Sequence, residues 1–154
     1  MSDSMNTASV ERVIPAPAEQ IFALLADPQR HHEFDGSGTV RNAKQLPERL
    51  ALGSQFGMSM HLGLPYSMVS TVVEFDPPHR IAWQTWAPGP IRYLVGGRIW
   101  RYELEPANGG TLVRESWDIS HERFRAAVLP ARQKTIEAMT KTLERIEAVL
   151  AEHP

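Results

Sequence analysis

Cysteine is absent from this chain, so no disulfide, thiolate nucleophile, cysteine-ligated zinc or iron-sulfur cluster enters its chemistry. Lysine is scarce. Only Lys44, Lys134 and Lys141 occur, and the last two lie off the apolar stripe of the terminal segment, which speaks against Schiff-base chemistry. No apolar run approaches the roughly 20 residues of a membrane span. Met1 to Thr7 is polar and carries an acid where a secretory signal carries bases and then an apolar stretch. The expectation is a cytoplasmic protein with no stable membrane insertion, its residues 1–7 a flexible tail before one domain over 8–154. A Gly-x-Ser-x-Gly elbow and a glycine-rich phosphate loop are also missing, which leaves hydrolase and nucleotide readings without support. His31 and His32 are adjacent and point about 100 degrees apart on a helix, so they do not share a metal ion. His61, His79, His121 and His153 form no ligand-spaced cluster either. No metal and no cofactor is predicted, and His31 and His32 read as solvated helix residues, with a pH-sensitive or ligand-contacting role as the alternative.

The 154 residues suffice for one domain with an internal cavity. Hydrophobic residues make up 42% and charged residues 22%, with a formal net charge of -2. The 16 basic residues are scattered, so nothing favours nucleic acid as a partner.

Ser9 to Ile14 reads as an opening strand. Pro17 and Glu19 suit the start of a short helix that buries Ile21, Phe22, Leu24 and Leu25. Asp27 and Pro28 cap and open a second short helix that ends near Asp35-Gly36-Ser37-Gly38. From Val40 to Ile119 the period becomes that of strands, punctuated by Leu64-Pro65, Asp76-Pro77-Pro78, Pro88-Gly89-Pro90, Gly96-Gly97 and Asn108-Gly109-Gly110. Phe56, Met58 and Met60 share one face, as do Trp100, Tyr102 and Leu104, then Val113, Glu115, Trp117 and Ile119. Ile81, Trp83 and Thr85 belong on the same inner side. Between Ser67 and Phe75 the alternation is ambiguous, because Met68 and Val72 compete with Val69, Val73 and Phe75. The segment from about Pro130 to Glu152 is helical, with Ile136, Met139, Leu143, Ile146 and Leu150 on one face.

The stretches VIPAPAEQIFALLAD (13–27), FDPPHRIAW (75–83), WRYELEP (100–106) and GTLVRESW (110–117) resemble the polyketide cyclase/dehydrase and lipid-transport family of the START-like (SRPBCC, helix-grip) superfamily. The resemblance covers nearly the whole chain. It implies an α+β fold: a curved seven-stranded antiparallel sheet around a long C-terminal helix, two short helices after the first strand, and a cavity between sheet and helix. Where relatives commonly carry a Trp in the second short helix, this chain has His31, His32 and Phe34.

Glu115 is the sharpest candidate for chemistry, because strand parity puts a carboxylate on the inner face. It either meets a ligand, as hydrogen-bond acceptor or as an acid or base with a raised pKa, or it pairs with an arginine or with water at the pocket mouth. Tyr102 and Arg98 are the other catalytic candidates. Phe34, Phe56, Met58, Met60, Trp83, Trp100, Tyr102, Glu115, Trp117, Met139 and Leu143 are the candidate ligand-binding residues, offering aromatic area and adaptable methionine lining that core packing explains as well. Ile91, Tyr93, Leu94 and Val95, within Pro88 to Gly97, read either as a lid over the cavity mouth or as a loop packed on the core. Three functions remain open: a carrier of a small hydrophobic molecule such as a lipid or aromatic polyketide, an aromatase/cyclase or dehydratase acting on a poly-β-keto chain, and a protein-interaction module. The expected form is a monomer or homodimer.

Overall fold

The computed structural model describes residues 6–35, 40–44, 49–62, 64–90 and 96–152, without the side chains of 40–44, 58–62 and 64–67. Of the expected tail over 1–7 the structure describes Asn6, whose carbonyl accepts from the Ile119 amide, and Thr7, which already begins the first strand; Ile91, Tyr93, Leu94 and Val95 and the side chains of Met58 and Met60 lie outside the described residues.

The strands are β1 (Thr7–Ile14), β2 (Val40–Lys44), β3 (Gln55–Leu62), β4 (Leu64–Asp76), β5 (Arg80–Trp86), β6 (Gly96–Ala107) and β7 (Gly110–Asp118). They form one antiparallel sheet in the order β1-β7-β6-β5-β4-β3-β2. Strands β1 and β2, neighbours in sequence, are thus the two opposite edges. The connection between them crosses from one edge to the other and carries α1 (Ala18–Leu25) and α2 (His31–Phe34). After β7 come α3 (Arg125–Val128), a 3-10 turn over Leu129–Ala131, and α4 (Arg132–Glu152). Among the described residues no helix is long and apolar enough to cross a membrane.

The local signals account for these elements. Pro17 stands immediately before α1 in extended backbone, and Glu19 lies in its first turn. Asp27 accepts a hydrogen bond from the Gln29 amide at 3.1 Å and so caps the 3-10 turn Pro28–Arg30 that leads into α2. Asn108-Gly109 forms the two-residue hairpin between β6 and β7, with Gly109 at φ 87°. The final helix begins two residues later than the sequence expectation, because Leu129–Ala131 winds as a 3-10 turn first.

The ambiguous alternation in β4 has a structural cause. Val72 pairs with Trp83 and Phe75 with Ile81, but the register shifts between Val72 and Glu74. A β-bulge there adds one residue, so the inner face is read by Ser70 and Val72 before it and by Phe75 after it. Both competing patterns were therefore real, each over half of the strand. Val73, the surplus residue, is exposed.

Helix α4 buries Met139, Thr142, Leu143 and Ile146 against β1, β7, α1 and α2, with Ile136 and Leu150 part-buried at its ends. Arg12 Nε on β1 bonds Glu147 Oε1 on α4 at 2.9 Å. Arg145 donates to the Asp35 carbonyl, tying α4 to the end of α2. On the outer face Arg101 forks onto Glu74 at 2.9 and 2.6 Å, a partly solvated pair that fixes register more than it adds stability. Among the described residues the buried apolar side chains form two clusters. The larger joins α1, α2, the sheet and Leu143 and Ile146, and the smaller gathers Ala8, Trp117, Ile119 and Met139. Val10 and Trp100 pack against both.

Candidate functional site

Strand register assembles the site. Across β5, β6 and β7 the pairs Trp83–Trp100, Trp100–Trp117, Ile81–Tyr102 and Tyr102–Glu115 lie directly opposite one another, so their side chains share one face. From β1, Val10 faces Glu115. Glu115 stands between Val113, in the larger cluster, and Trp117, in the smaller. It is thus a carboxyl at the seam of the two apolar cores.

Glu115 is 3% exposed. Tyr102 Oη donates to its Oε2 at 2.9 Å, while Oε1 is buried with no hydrogen-bond partner among the described residues. Sequence leaves a ligand, an arginine or water as the partner of this carboxyl; among the described residues the partner is a phenol. Burial pushes the Glu115 carboxyl up to about 8, against the opposing effect of the Tyr102 bond, and the nearby Asp35 adds to the rise. The Tyr102 hydroxyl is raised well above its ordinary range by burial and by Glu115. At neutral pH both groups hold their protons.

An aromatic run leads to this pair. Trp83 lies 5.6 Å from Tyr102 between ring centroids, and Phe56 lies 5.7 Å from Trp83. The His31 ring stacks on Trp83 at 4.9 Å and 20° and meets Phe34 and Phe56 edge-on. This corrects the expectation of a solvated His31: it is buried, and only His32 is exposed. The cap at Asp27 sets the phase of α2 so that residues 31 and 34, one turn apart, turn inward together. His31 Nε2 donates to the Leu25 carbonyl at 2.8 Å, and burial lowers the ring to about 4, so it is neutral at physiological pH.

Arg98 is inward by register, opposite Thr85, but is not joined to Glu115. Its amide and its Nε both bond Glu122 Oε2, at 3.0 and 2.8 Å, and the Glu122 carboxyl is buried. Here the chain after β7 crosses the start of β6 so closely that a Cβ on Gly97, at φ 113°, would stand 2.2 Å from the His121 carbonyl oxygen. Glu122 was not visible in the sequence, since it follows the last alternating strand and nothing local marks it as buried. A second polar pair, Ser70 and Thr85, joins hydroxyls at 2.9 Å on the inner face.

Of the candidate ligand-binding residues, Phe34, Phe56, Trp83, Tyr102 and Glu115 come together around the larger cluster. Trp117 and Met139 lie in the smaller, and Leu143 reaches the larger from α4. Trp100 faces inward yet is only part-buried. Pro88, Gly89 and Pro90 are exposed, and Gly96 and Gly97 begin β6 rather than ending a loop. No group of three His, Asp or Glu side chains among the described residues is placed to hold a metal ion.

Residues 5–151 match the polyketide cyclase / dehydrase and lipid transport family. The chain belongs to that family. Among its relatives, the uncharacterized protein Rv0088 of Mycobacterium tuberculosis is 40% identical over 107 residues, 68% of this chain and 44% of that protein. The chain therefore spans less than half the length of the curated relatives it matches. Protein Ms6760 of Mycobacterium smegmatis superposes with a TM-score of 0.73 at 18% identity, covering 97% of this chain and 94% of that one. DynU16, a putative protein in the dynemicin biosynthetic locus, superposes with a TM-score of 0.68 at 14% identity, covering 95% of this chain and 47% of that one. At such identities these structures share the fold of this family member, and the chemistry has to come from its own residues.

Proposed function

We propose that this family member binds and carries one small hydrophobic molecule, lipid or aromatic polyketide-like, between the sheet and α4. The supporting observation is the buried Glu115 with its unpartnered Oε1 at the junction of two apolar clusters. Buried polar atoms are almost always hydrogen-bonded, and an orphan on an otherwise apolar wall is what a ligand's polar atom is expected to satisfy. The part-buried, inward Trp100 and the polarizable Met139 supply apolar surface of the kind such a molecule contacts. The proposed setting is the cytoplasm, with the protein as monomer or homodimer. Mass spectrometry of co-purifying molecules under native conditions, followed by calorimetry with fatty acids and fused-ring aromatics, tests the reading. One saturable site per chain supports it, and a panel with no saturable ligand shifts the weight to an interaction module.

One observation favours a second reading, a cyclase or dehydratase. A carboxyl that keeps its proton at neutral pH beside a phenol is a competent general acid. Turnover of a poly-β-keto mimic by the wild type, lowered about 10² to 10⁴-fold in Glu115→Gln with binding intact, would establish it over the carrier.

A further inference from the structure

The polar end of the ligand follows from a count of protons at the candidate site, an inference that rests on the binding reading above. Glu115 is buried, and among the described residues no Lys or Arg nitrogen lies within ion-pair distance of its carboxyl. A carboxylate without a cation is costly to bury, so the group stands there as the neutral acid. The ionisable groups acting on it are Tyr102 from β6 and Asp35 at the end of α2, both of which are acids. From β1 the opposing residue is the apolar Val10, and the buried face of α4 consists of Met139, Thr142, Leu143 and Ile146, none of them ionisable. The cations Arg12 of β1 and Arg145 of α4 bond Glu147 and the Asp35 carbonyl instead, and among the described residues neither forms an ion pair with Glu115.

A neutral carboxyl and a phenol carry two O–H hydrogens between them. Their mutual bond, Tyr102 Oη to Glu115 Oε2 at 2.9 Å, uses one. The remaining hydrogen falls to Glu115 Oε1, the atom that is buried with no partner among the described residues. The site therefore presents a surplus donor and needs an acceptor.

We propose that Glu115 Oε1 donates a hydrogen bond to a neutral acceptor oxygen, of the ketone, ester or lactone type, on an otherwise apolar ligand. An amine is disfavoured, because its protonated form at pH 6 brings donors alone to a donor and would require the acid to ionise in an apolar wall. A bare hydrocarbon leaves the hydrogen unpaired.

Three naphthalenes of nearly equal shape separate these cases by calorimetry: 2-acetylnaphthalene, its hydrocarbon isostere 2-isopropenylnaphthalene, and 1-(2-naphthyl)ethylamine. At pH 6 the wild type should bind the ketone about 3- to 10-fold more tightly than the isostere, the worth of one hydrogen bond. The amine should be weakest. Glu115→Gln, whose amide keeps a donor while its carbonyl accepts from Tyr102, should retain that preference at both pH 6 and pH 9.5. In the wild type the preference should collapse at pH 9.5, where the acid has ionised. Equal affinity for ketone and isostere at pH 6, or tightest binding of the amine, would overturn the assignment while leaving an apolar binding site in place. Binding of none of the three would remove the carrier reading and this inference with it. Glu115→Leu, expected to bind the isostere and lose the ketone preference, separates loss of the donor from loss of the fold.

Discussion

Tyr102 and Glu115 occupy directly opposed positions on β6 and β7, and the phenol donates to the carboxyl at 2.9 Å inside the sheet's inner face. The register alone brings them together. A shift of one residue between these strands would turn one of the pair out to solvent.

The raised carboxyl makes stability pH-dependent. Glu115 titrates near 4.5 when solvated and near 8 in the folded protein. Between these values the unfolded chain has released a proton that the folded one keeps, so the contribution is full below the lower value and is lost as pH rises toward the upper. The slope for one proton is at most about 1.4 kcal/mol per pH unit. Glu115→Gln cannot titrate and should gain on the wild type between pH 5 and 8. Urea midpoints at pH 5, 6.5 and 8 measure this, and parallel profiles would show that Glu115 is solvated.

His31 works in the opposite direction. Its folded value near 4 lies below its solvated 6.5, so its contribution is present above 6.5 and is lost as pH falls toward 4. His31→Phe keeps a ring against Trp83 but leaves the Leu25 carbonyl without its donor. It should cost about 1 kcal/mol at pH 7.5, and the gap should narrow on acidification. A constant gap would place His31 in water.

Much of the fold was legible because period and turn chemistry agree: Pro17 and Asp27 open the short helices, Asn108-Gly109 turns the last hairpin, and the parity of Val113, Glu115 and Trp117 sets the inner face. The β4 strand was illegible for a definite reason. A bulge at Val73 reverses the parity midway, and no single phase fits both halves. The site was half visible. Strand parity found Glu115 and Tyr102, but His31 depends on the phase of a four-residue helix, and Glu122 is buried by a loop crossing that leaves no periodic trace.

Leu143 is 1% exposed and joins α4 to the larger cluster. Leu143→Ala should cost about 2 to 5 kcal/mol, read from denaturation midpoints. A change within error would mean that the helix is rotated or detached.

Gly97 and Gly109 both hold positive φ, but only Gly97 has a neighbour where a side chain would go. Gly109→Ala should cost about 1 to 2 kcal/mol through backbone conformation alone. Gly97→Ala adds a clash with the His121 carbonyl and should cost roughly 1 to 3 kcal/mol more. Equal losses in a thermal melt of the two variants would mean that the 119–123 segment yields freely.

Among the described residues the apolar interior divides into two clusters whose shared border residues are Val10 and Trp100, and this division bears on how the proposed ligand would enter. We expect the smaller cluster, with Ala8, Trp117, Ile119 and Met139, to open while the larger stays shut, at a free energy below that of global unfolding. Native-state amide exchange should resolve two tiers, the amides of α3 and the first turns of α4 exchanging before those around Leu143 and Ile146. Glu115 lies on the line between the tiers, so under the proposed binding function the partial opening that admits a guest would also be the one that first wets the acid.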